Sequence, residues 1–535
     1  MITPLLFAAA LASADVDASP KPRLVVLIVV DQMRADYLDR FRGFLNGGLG
    51  RLRREGRSFA AARHEHAITS TGPGHASLAS GSHPSRHGVV ANQFRDPSTP
   101  GVFKKAADDA NVRDLTRDVA GCSPRDLLVP ALGDWMKAAD PRSRVLTVAF
   151  KSRSAAMLGG HGADACVWVD KDTCTFTTSS YYSETMPAWI ATAQAEDPVT
   201  RYLGREWTPR LTDAQFDAAR ATADMMRYEG RDGFGNEEKA TFPHPISEEG
   251  DLVFTPFSDQ RVLNLTLRGL EALELGRDDA PDLLGISFSS ADYVGHTYGP
   301  ESRELVDYYA WLDEGIGRLI DATQKAAGAD RVLYCLSSDH GIGEIVESLL
   351  ARGIQAGRVR VKTVLETVDA ALDHRYGEDD WALVSLPDIY LSTEALERHG
   401  VDPAAARKAV AQAVVTIRGI DGAYPRERLL DGDPSVPAAF RYSFHPARSG
   451  DVMLRFAPHH HLDYLDVAPY VKANHATQYG YDQRIPVVFF GAGVEAGIVT
   501  DPFRSIDVAP TIAARLGIPV PAGVDGRAMP LEGRP

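Results

Sequence analysis

Four short, unbroken apolar runs that each stop against polar residues constrain this chain more than any other feature. LVVLIVV ends at Asp31, RVLTVAF at Lys151, LLGISFSS just short of Asp292, and RVLYCLSS at Asp339. A fifth run, RIPVVFFG, begins at Arg484. The runs are too short for buried helices, are rich in branched residues, and lack the polar alternation of a half-solvated strand. They therefore read as strands covered on both faces, the habit of a mostly parallel sheet. Helical stretches fall between them, for example Gln260 to Glu274 and Ser302 to Ala327. Such alternation means α/β layers, and in these sheets ligands sit at the carboxyl ends of the strands, where the polar residues stand.

The core is expected in three stretches, 19–169, 251–372 and 471–535. Residues 170–250, rich in Thr, Ser, Tyr, Asp and Gly, read as a cap. Residues 373–470 contain PDIYLS, a helix from Pro403 to Ile417, and DVMLRFAP, the order of a small inserted α+β subdomain. At the N-terminus, the apolar run Leu5 to Leu11 precedes Ala12-Ser13-Ala14, an A-x-A-like cleavage site. Residues 1–18 are therefore expected to be a signal peptide, and the protein periplasmic or secreted. No other apolar stretch reaches the roughly 20 residues a membrane span needs, so no membrane partner is expected. Cys166 and Cys174 flank a turn in CVWVDKDTC and could face each other across a hairpin, as a disulfide or as two half-buried thiols. Cys335 reads as a core thiol.

The chain carries 57 Lys+Arg against 72 Asp+Glu, a net charge of −15 over 535 residues. An acidic surface repels phosphate backbones, which excludes duplex nucleic acid as the main partner. Carboxylates and imidazoles nevertheless gather at the strand ends. Asp31 closes the first strand; Asp292 and His296 are four apart, on one face of a helical turn. Asp339 and His340 are adjacent in a glycine-bearing turn, and His475 precedes the last core strand. Carboxylate oxygen with imidazole nitrogen suits zinc, and two such sites could stand side by side. One Asp at a strand end is an ordinary helix cap; so many at successive strand ends are not explained that way.

Residues 70–81, STGPGHASLASG, place Thr71 just before a helix with Pro73 in its first turn. A hydroxyl there meets the positive helix end and free N–H groups, an anion site. Beside a metal it would ionise near neutral pH and could act as a nucleophile. Lys151 and Arg153, two apart on an extended segment, point the same way and could share one phosphoryl group. Asn92 lies downstream of the Thr71 helix in GVVANQF.

As an ordered set, these motifs resemble the alkaline phosphatase superfamily. More narrowly, the chain resembles the type I phosphodiesterase/nucleotide pyrophosphatase branch and its threonine-nucleophile monoesterases. The resemblance runs from VVLIVVDQMRADYL through TGPGHASLASG, FKSRS, SADYVGHTYGP, SSDHG and YDQRIPVVFFG to SIDVAPTIAARLGI. It implies a three-layer alkaline-phosphatase-like core with inserted cap regions and two Zn²⁺ per chain. One zinc would be held by Asp292, His296 and His475. The other would be held by Asp31, Asp339, His340 and the Thr71 oxygen. Asn92, Lys151 and Arg153 would bind phosphoryl oxygens, the Lys-x-Arg pair implying small-molecule monoesters over diesters. Thr71 would attack phosphorus to give a phosphothreonine, and a monomer is expected. Two departures stand out: Gly72 replaces a common Ala, and Ala476-Thr477-Gln478 follows His475 where relatives carry a Gly-bearing loop. The run His459-His460-His461 competes for the His475 role, but reads better as an accessible loop near the site mouth.

Three rivals follow. Ser82-His83-Pro84-Ser85-Arg86 matches a sulfatase signature in letters and Cys122-Ser123-Pro124-Arg125 falls one residue short, yet Thr71 holds the helix-opening position and cannot become formylglycine. A phosphodiesterase or nucleotide pyrophosphatase would use the same zincs and threonine. A non-catalytic phosphate-binding protein would keep the ligands but not need the nucleophile.

Overall fold

A computed structural model describes residues 20–96, 102–224, 229–230, 240–385, 387–466 and 468–533. The expected signal peptide, 1–18, lies outside the described residues. In chain order the strands used below are β1 (Leu24–Val30), β2 (Arg57–Arg63), β3 (Val145–Ala149), β4 (Ala165–Val169), β5 (Phe176–Thr177), β6 (Asp282–Phe288) and β7 (Val332–Ser337). Then come β8 (Ala382–Ser385), β9 (Asp388–Leu391), β10 (Ile420–Pro425), β11 (Val452–Phe456), β12 (Val488–Gly491) and β13 (Gly497–Arg504). The helices that matter to the site are α1 (Thr71–Ser80), α2 (Ser152–Gly159), α3 (Pro256–Ala272), α4 (Ser290–Tyr298) and α5 (Arg303–Ala327).

Among the described residues, nine strands form the central sheet in the order β13-β2-β12-β7-β1-β6-β3-β4-β5. Its spine is parallel: β1 pairs with β6 and β7, β6 with β3, and β3 with β4. All seven residues of β1 are buried, and they alternate between two apolar clusters. Leu24, Val26, Ile28 and Val30 belong to one cluster, with α3 and α5; Val25, Leu27 and Val29 belong to the other, with α1 and α2. This is the three-layer α/β architecture expected, and the absence of polar alternation in LVVLIVV is its direct cause. Each such fully buried aliphatic side chain stabilises the fold by roughly 1.5–3 kcal/mol relative to exposure.

Two features depart from expectation. The run RIPVVFFG supplies β12, which pairs antiparallel with both β7 and β2. The reason is where the chain re-enters the core. The Asp482 carbonyl accepts from the Gly341 N–H (2.7 Å), just past the carboxyl end of β7, so the next strand starts at that end and must run backwards. The four thiols are free and buried, and no Cys166–Cys174 disulfide forms. Cys166 on β4 packs into the α1/α2 cluster, whereas Cys174 packs into the cluster on the opposite face, so the sheet itself separates them. Cys335 is a core thiol.

Strands β8–β11 form a separate antiparallel sheet in the order β8-β9-β11-β10. Helices Val361–Tyr376 and Pro403–Val414 cover it with a core of their own, including Val368, Leu372, Trp381, Val410 and Leu454. Residues of 176–254, among them Trp207, Phe216, Ile246 and Leu252, join the α3/α5 cluster of the central sheet. Among the described residues no helix is long and apolar enough to cross a membrane.

Candidate metal centre and nucleophile helix

The parallel register sets the site. Val30 lies opposite Phe288, Val29 opposite Ser337, and Ser287 opposite Ala149, so β1, β6, β7 and β3 end level. Each run therefore delivers its first polar residues to one place: Asp31 after β1, Asp292 and His296 on α4 after β6, Asp339-His340 after β7, Lys151 after β3. Helix α1 follows β2 and carries Thr71 to the same place. His475, before β12, joins them through its Nδ1, which meets the Thr69 carbonyl at 2.7 Å. Thr71, Asp31, Asp339 and His340 are at most 1% exposed, Lys151 2%.

Two groups of side chains bring potential ligand atoms within 4.8 Å of one another: Asp31 with Asp339 and His340, and Asp292 with His340 and His475. His296 adjoins the second group, its Nε2 3.2 Å from Asp292 Oδ1. The donor set fits a metal on two counts. Asp31 Oδ1, Asp339 Oδ2 and His340 Nε2 are buried and make no hydrogen bond, an arrangement costly for polar atoms without a further partner. The second count is tautomeric. The Nδ1 atoms of His296, His340 and His475 face the carbonyls of Ala473 (2.6 Å), Gly341 (2.9 Å) and Thr69 (2.7 Å). A carbonyl only accepts, so Nδ1 carries the proton and each neutral ring keeps its Nε2 lone pair for a ligand, the usual support of metal-binding histidines. Burial pushes the His340 and His475 rings toward that neutral form.

Cations stand against this acidic cluster. Lys151 Nζ lies 2.5 Å from Asp31 Oδ2 and 2.7 Å from Asp292 Oδ2, bridging the two groups. It is also 3.4 Å from Thr71 Oγ1, and Arg153 Nη2 is 3.3 Å from the same oxygen. Burial disfavours the ammonium, but the Asp292 and Asp31 charges hold its pKa above the ordinary lysine value. Burial likewise opposes the Asp292 anion, yet Lys151 and His296 hold that carboxyl well below the usual range. Burial and the Asp339 charge push Asp31 well up. The Asn92 side-chain Oδ1 accepts from the Gly72 N–H (2.8 Å), fixing the amide beside the first turn of α1.

Local structure differs from expectation at three points. Ser70 is the N-cap of α1, so Thr71 is its first residue and Pro73 its third. Arg153 is not on an extended segment with Lys151: Lys151 caps α2 and Arg153 lies in its first turn. The two cations converge on Thr71 because a helix start turns the chain, not because of strand alternation. His459-His460-His461 is no accessible loop. Residues His460–Asp463 form a strand parallel to Gly357–Arg360, His460 and His461 are buried, and none of the three joins either ligand group.

Some neighbours were not foreseen. Gln32 follows Asp31 with φ 70°; its backbone N–H reaches Asp339 Oδ1 (3.1 Å) and its Nε2 donates to Asp292 Oδ1 (2.6 Å). His75 lies 3.3 Å from Asp339 Oδ2 and hydrogen-bonds Ser287 Oγ (2.8 Å). Its place four residues after Thr71, on the same helix face, was the available signal; Gln32 offered none beyond adjacency. Tyr293 sets its ring centroid 5.4 Å from Lys151 Nζ, a cation–π contact.

Comparison with known proteins bears on this geometry. The profile of the type I phosphodiesterase/nucleotide pyrophosphatase family matches residues 25–477. The chain is 31% identical to alkaline phosphatase PhoD of Zymomonas mobilis, over 95% of this chain and 88% of that protein. It is 27% identical to alkaline phosphatase PafA of Elizabethkingia meningoseptica, over 98% of this chain and 96% of that one. The crystal structure of wild-type PafA superposes with a TM-score of 0.89 at 26% identity, covering 96% of this chain and 99% of its own, and so shares the three-layer core.

Proposed function

This chain belongs to the type I phosphodiesterase/nucleotide pyrophosphatase family, and from that premise we propose that it is an alkaline phosphatase, a phosphoric monoester hydrolase with Thr71 as nucleophile. The relatives named above support the activity over nearly the full chain. The observation that carries the choice of monoesters is the approach of Lys151 Nζ (3.4 Å) and Arg153 Nη2 (3.3 Å) to Thr71 Oγ1. Two cations there match the two charges of a terminal phosphate, whereas a diester brings one charge and a second alcohol to accommodate.

Two Zn²⁺ per chain, one held by Asp292, His296 and His475 and one by Asp31, Asp339, His340 and the Thr71 oxygen, would supply Lewis-acid charge at the entering and leaving oxygens. The remaining work falls to the chain. Asn92, Lys151 and Arg153 hold the non-bridging phosphoryl oxygens and orient phosphorus toward Thr71. Thr71, its hydroxyl proton given up to solvent, attacks in line through Oγ1; the new O–P bond forms as the ester O–P bond breaks, its electron pair leaving with the alcohol oxygen, which takes up a proton from solvent. Water then cleaves the phosphothreonine by a second in-line displacement, releasing inorganic phosphate. Helix α1 contributes the positive end of its dipole to the charge that develops. The leader-like residues 1–18 support export to the periplasm or medium, and the protein is read as a monomer acting on small phosphate monoesters.

The test compares turnover of p-nitrophenyl phosphate and bis-p-nitrophenyl phosphate. Monoester preference is expected, and the double variant Lys151→Ala/Arg153→Ala should lose monoesterase activity by about 10²-fold or more with a far smaller loss on the diester. Diester preference in the native protein, or equal losses on both substrates, overturns the reading in favour of a phosphodiesterase.

A further inference from the structure

A cavity of about 360 Å³ opens directly from the site, with Asn92, His296 and His475 in its wall. Its other walls are an apolar majority with uncharged polar residues, Gln93 and Asn474 among them, and the apolar part comes from both units of the molecule: Ile68 from the core, and Phe456, Leu462 and Tyr470 from the inserted subdomain and the segment leading out of it. The walls are packed in place. Phe456 and Leu462 are buried in the subdomain core, and Tyr470 lies 5.3 Å from Phe254 and 6.2 Å from Tyr293, centroid to centroid. Among the described residues no Lys, Arg, Asp or Glu lines this space. Lys151 and Arg153 are absent from its lining.

We propose that this cavity receives the alcohol portion of the ester and selects substrates whose leaving group is uncharged and ring-bearing. The inference rests on the phosphatase reading and deepens it. With the phosphoryl oxygens held at Lys151 and Arg153, the ester oxygen faces the His296 and His475 side, and the cavity is the space beyond it. Preformed pockets of this size, with an apolar majority and uncharged polar groups between, bind by excluding water from flat hydrocarbon surface. Aromatic walls favour a ring through edge and face contacts. A second phosphate or carboxylate on the far side of this space, away from His296 and His475, would lose hydration without meeting a Lys or Arg side chain, a penalty with no compensating pair. Esters that carry further charged groups on the alcohol are thereby disfavoured.

The experiment measures kcat/KM for phenyl phosphate relative to methyl phosphate in the native enzyme, in Phe456→Leu and in Tyr464→Ser. Tyr464 also lines the cavity but is 38% exposed, so its replacement does not threaten the subdomain core. Both substitutions should lower the phenyl-to-methyl ratio, by about five- to tenfold, from lost apolar contact. Gln93→Lys, at another lining position, should raise kcat/KM for propane-1,3-diyl bisphosphate relative to propyl phosphate by about threefold or more. Unchanged ratios in both aromatic variants overturn the ring-binding role, and no gain on the bisphosphate from Gln93→Lys overturns the selection against charge. A native enzyme that hydrolyses none of these monoesters, or prefers the diester, instead defeats the phosphatase reading itself.

Discussion

At the scale of single residues, the site is three carboxylates, three imidazoles and two cations around one hydroxyl. Most were legible because their chemistry is unusual at a strand end: an Asp or His there needs a partner, and so many of them need a shared one. Gln32 was not legible, since nothing in its type distinguishes it from any loop amide; its role exists only because β1 and β7 end level. Thr71→Ala removes the attacking oxygen and little else, as the neighbouring ligands come from other elements. We expect loss of more than about 10³-fold in monoester turnover and no covalently phosphorylated protein, with metal content largely retained. Phosphate labelling after acid quench and metal analysis on one sample check this; full activity in the variant would remove Thr71 from the nucleophile role.

At the scale of elements, α1 owes its position to backbone approach. A Cβ on Gly74 would lie 2.2 Å from the Asp339 carbonyl oxygen, so the helix can rest on the ligand-bearing turn only with glycine there. Gly74→Ala must push α1 and Thr71 away from the Asp339–His340 turn, and kcat/KM should fall by about 10²-fold without global unfolding. Gly72→Ala is the control on the same helix: its Cβ would meet Val89 Cγ1 at 3.2 Å and, at 3.4 Å, Ala106 Cβ and the Ala91 carbonyl oxygen, none as close as the Gly74 contact, and activity should stay within about threefold. Similar losses in both variants would show that the close approach at Asp339 does not set the site.

In the inserted subdomain, burial pushes the Asp388 carboxyl on β9 up to about 7, with the Asp451 charge adding to the rise. The native state therefore binds a proton that the unfolded chain releases near pH 4. The stability from that proton is fully present below about pH 4 and lost as pH rises to about 7, an effect of a few kcal/mol at most. Asp388→Asn should flatten the melting temperature across pH 4–8 and raise it at pH 8. A variant whose melting curve against pH parallels that of the native protein would rule out this carboxyl as the cause.

For the whole molecule, the net charge of −15 and the local site speak about different things. Asp31, Asp292 and Asp339 are gathered at one point, where Lys151 bridges Asp31 and Asp292 and Arg153 reaches Thr71. Because buried Asp31 Oδ1, Asp339 Oδ2 and His340 Nε2 lack hydrogen bonds, metal binding should stabilise the fold as well as activate it. Chelation with EDTA should abolish hydrolysis and lower the melting temperature by at least a few degrees, and added Zn²⁺ should restore both. Loss of activity with an unchanged melting temperature would mean that metal binding contributes little to the fold.

Sequence alone determined the layers and the strand ends. Runs without polar alternation must be covered on both faces, and a parallel sheet puts the residue after each run at one edge; the ordered motifs then pointed to one superfamily. What it could not decide were features that depend on distant partners. Whether β12 runs up or down depends on where the chain re-enters at Gly341 and Asp482. Whether Cys166 and Cys174 meet depends on which face of a sheet each side chain takes. The convergence of Lys151 and Arg153 on Thr71 depends on a helix start, and the aromatic cavity on a subdomain folding back over the core. Local pattern encodes burial and periodicity; tertiary structure alone decides which separate, locally equivalent ends are brought within hydrogen-bond reach.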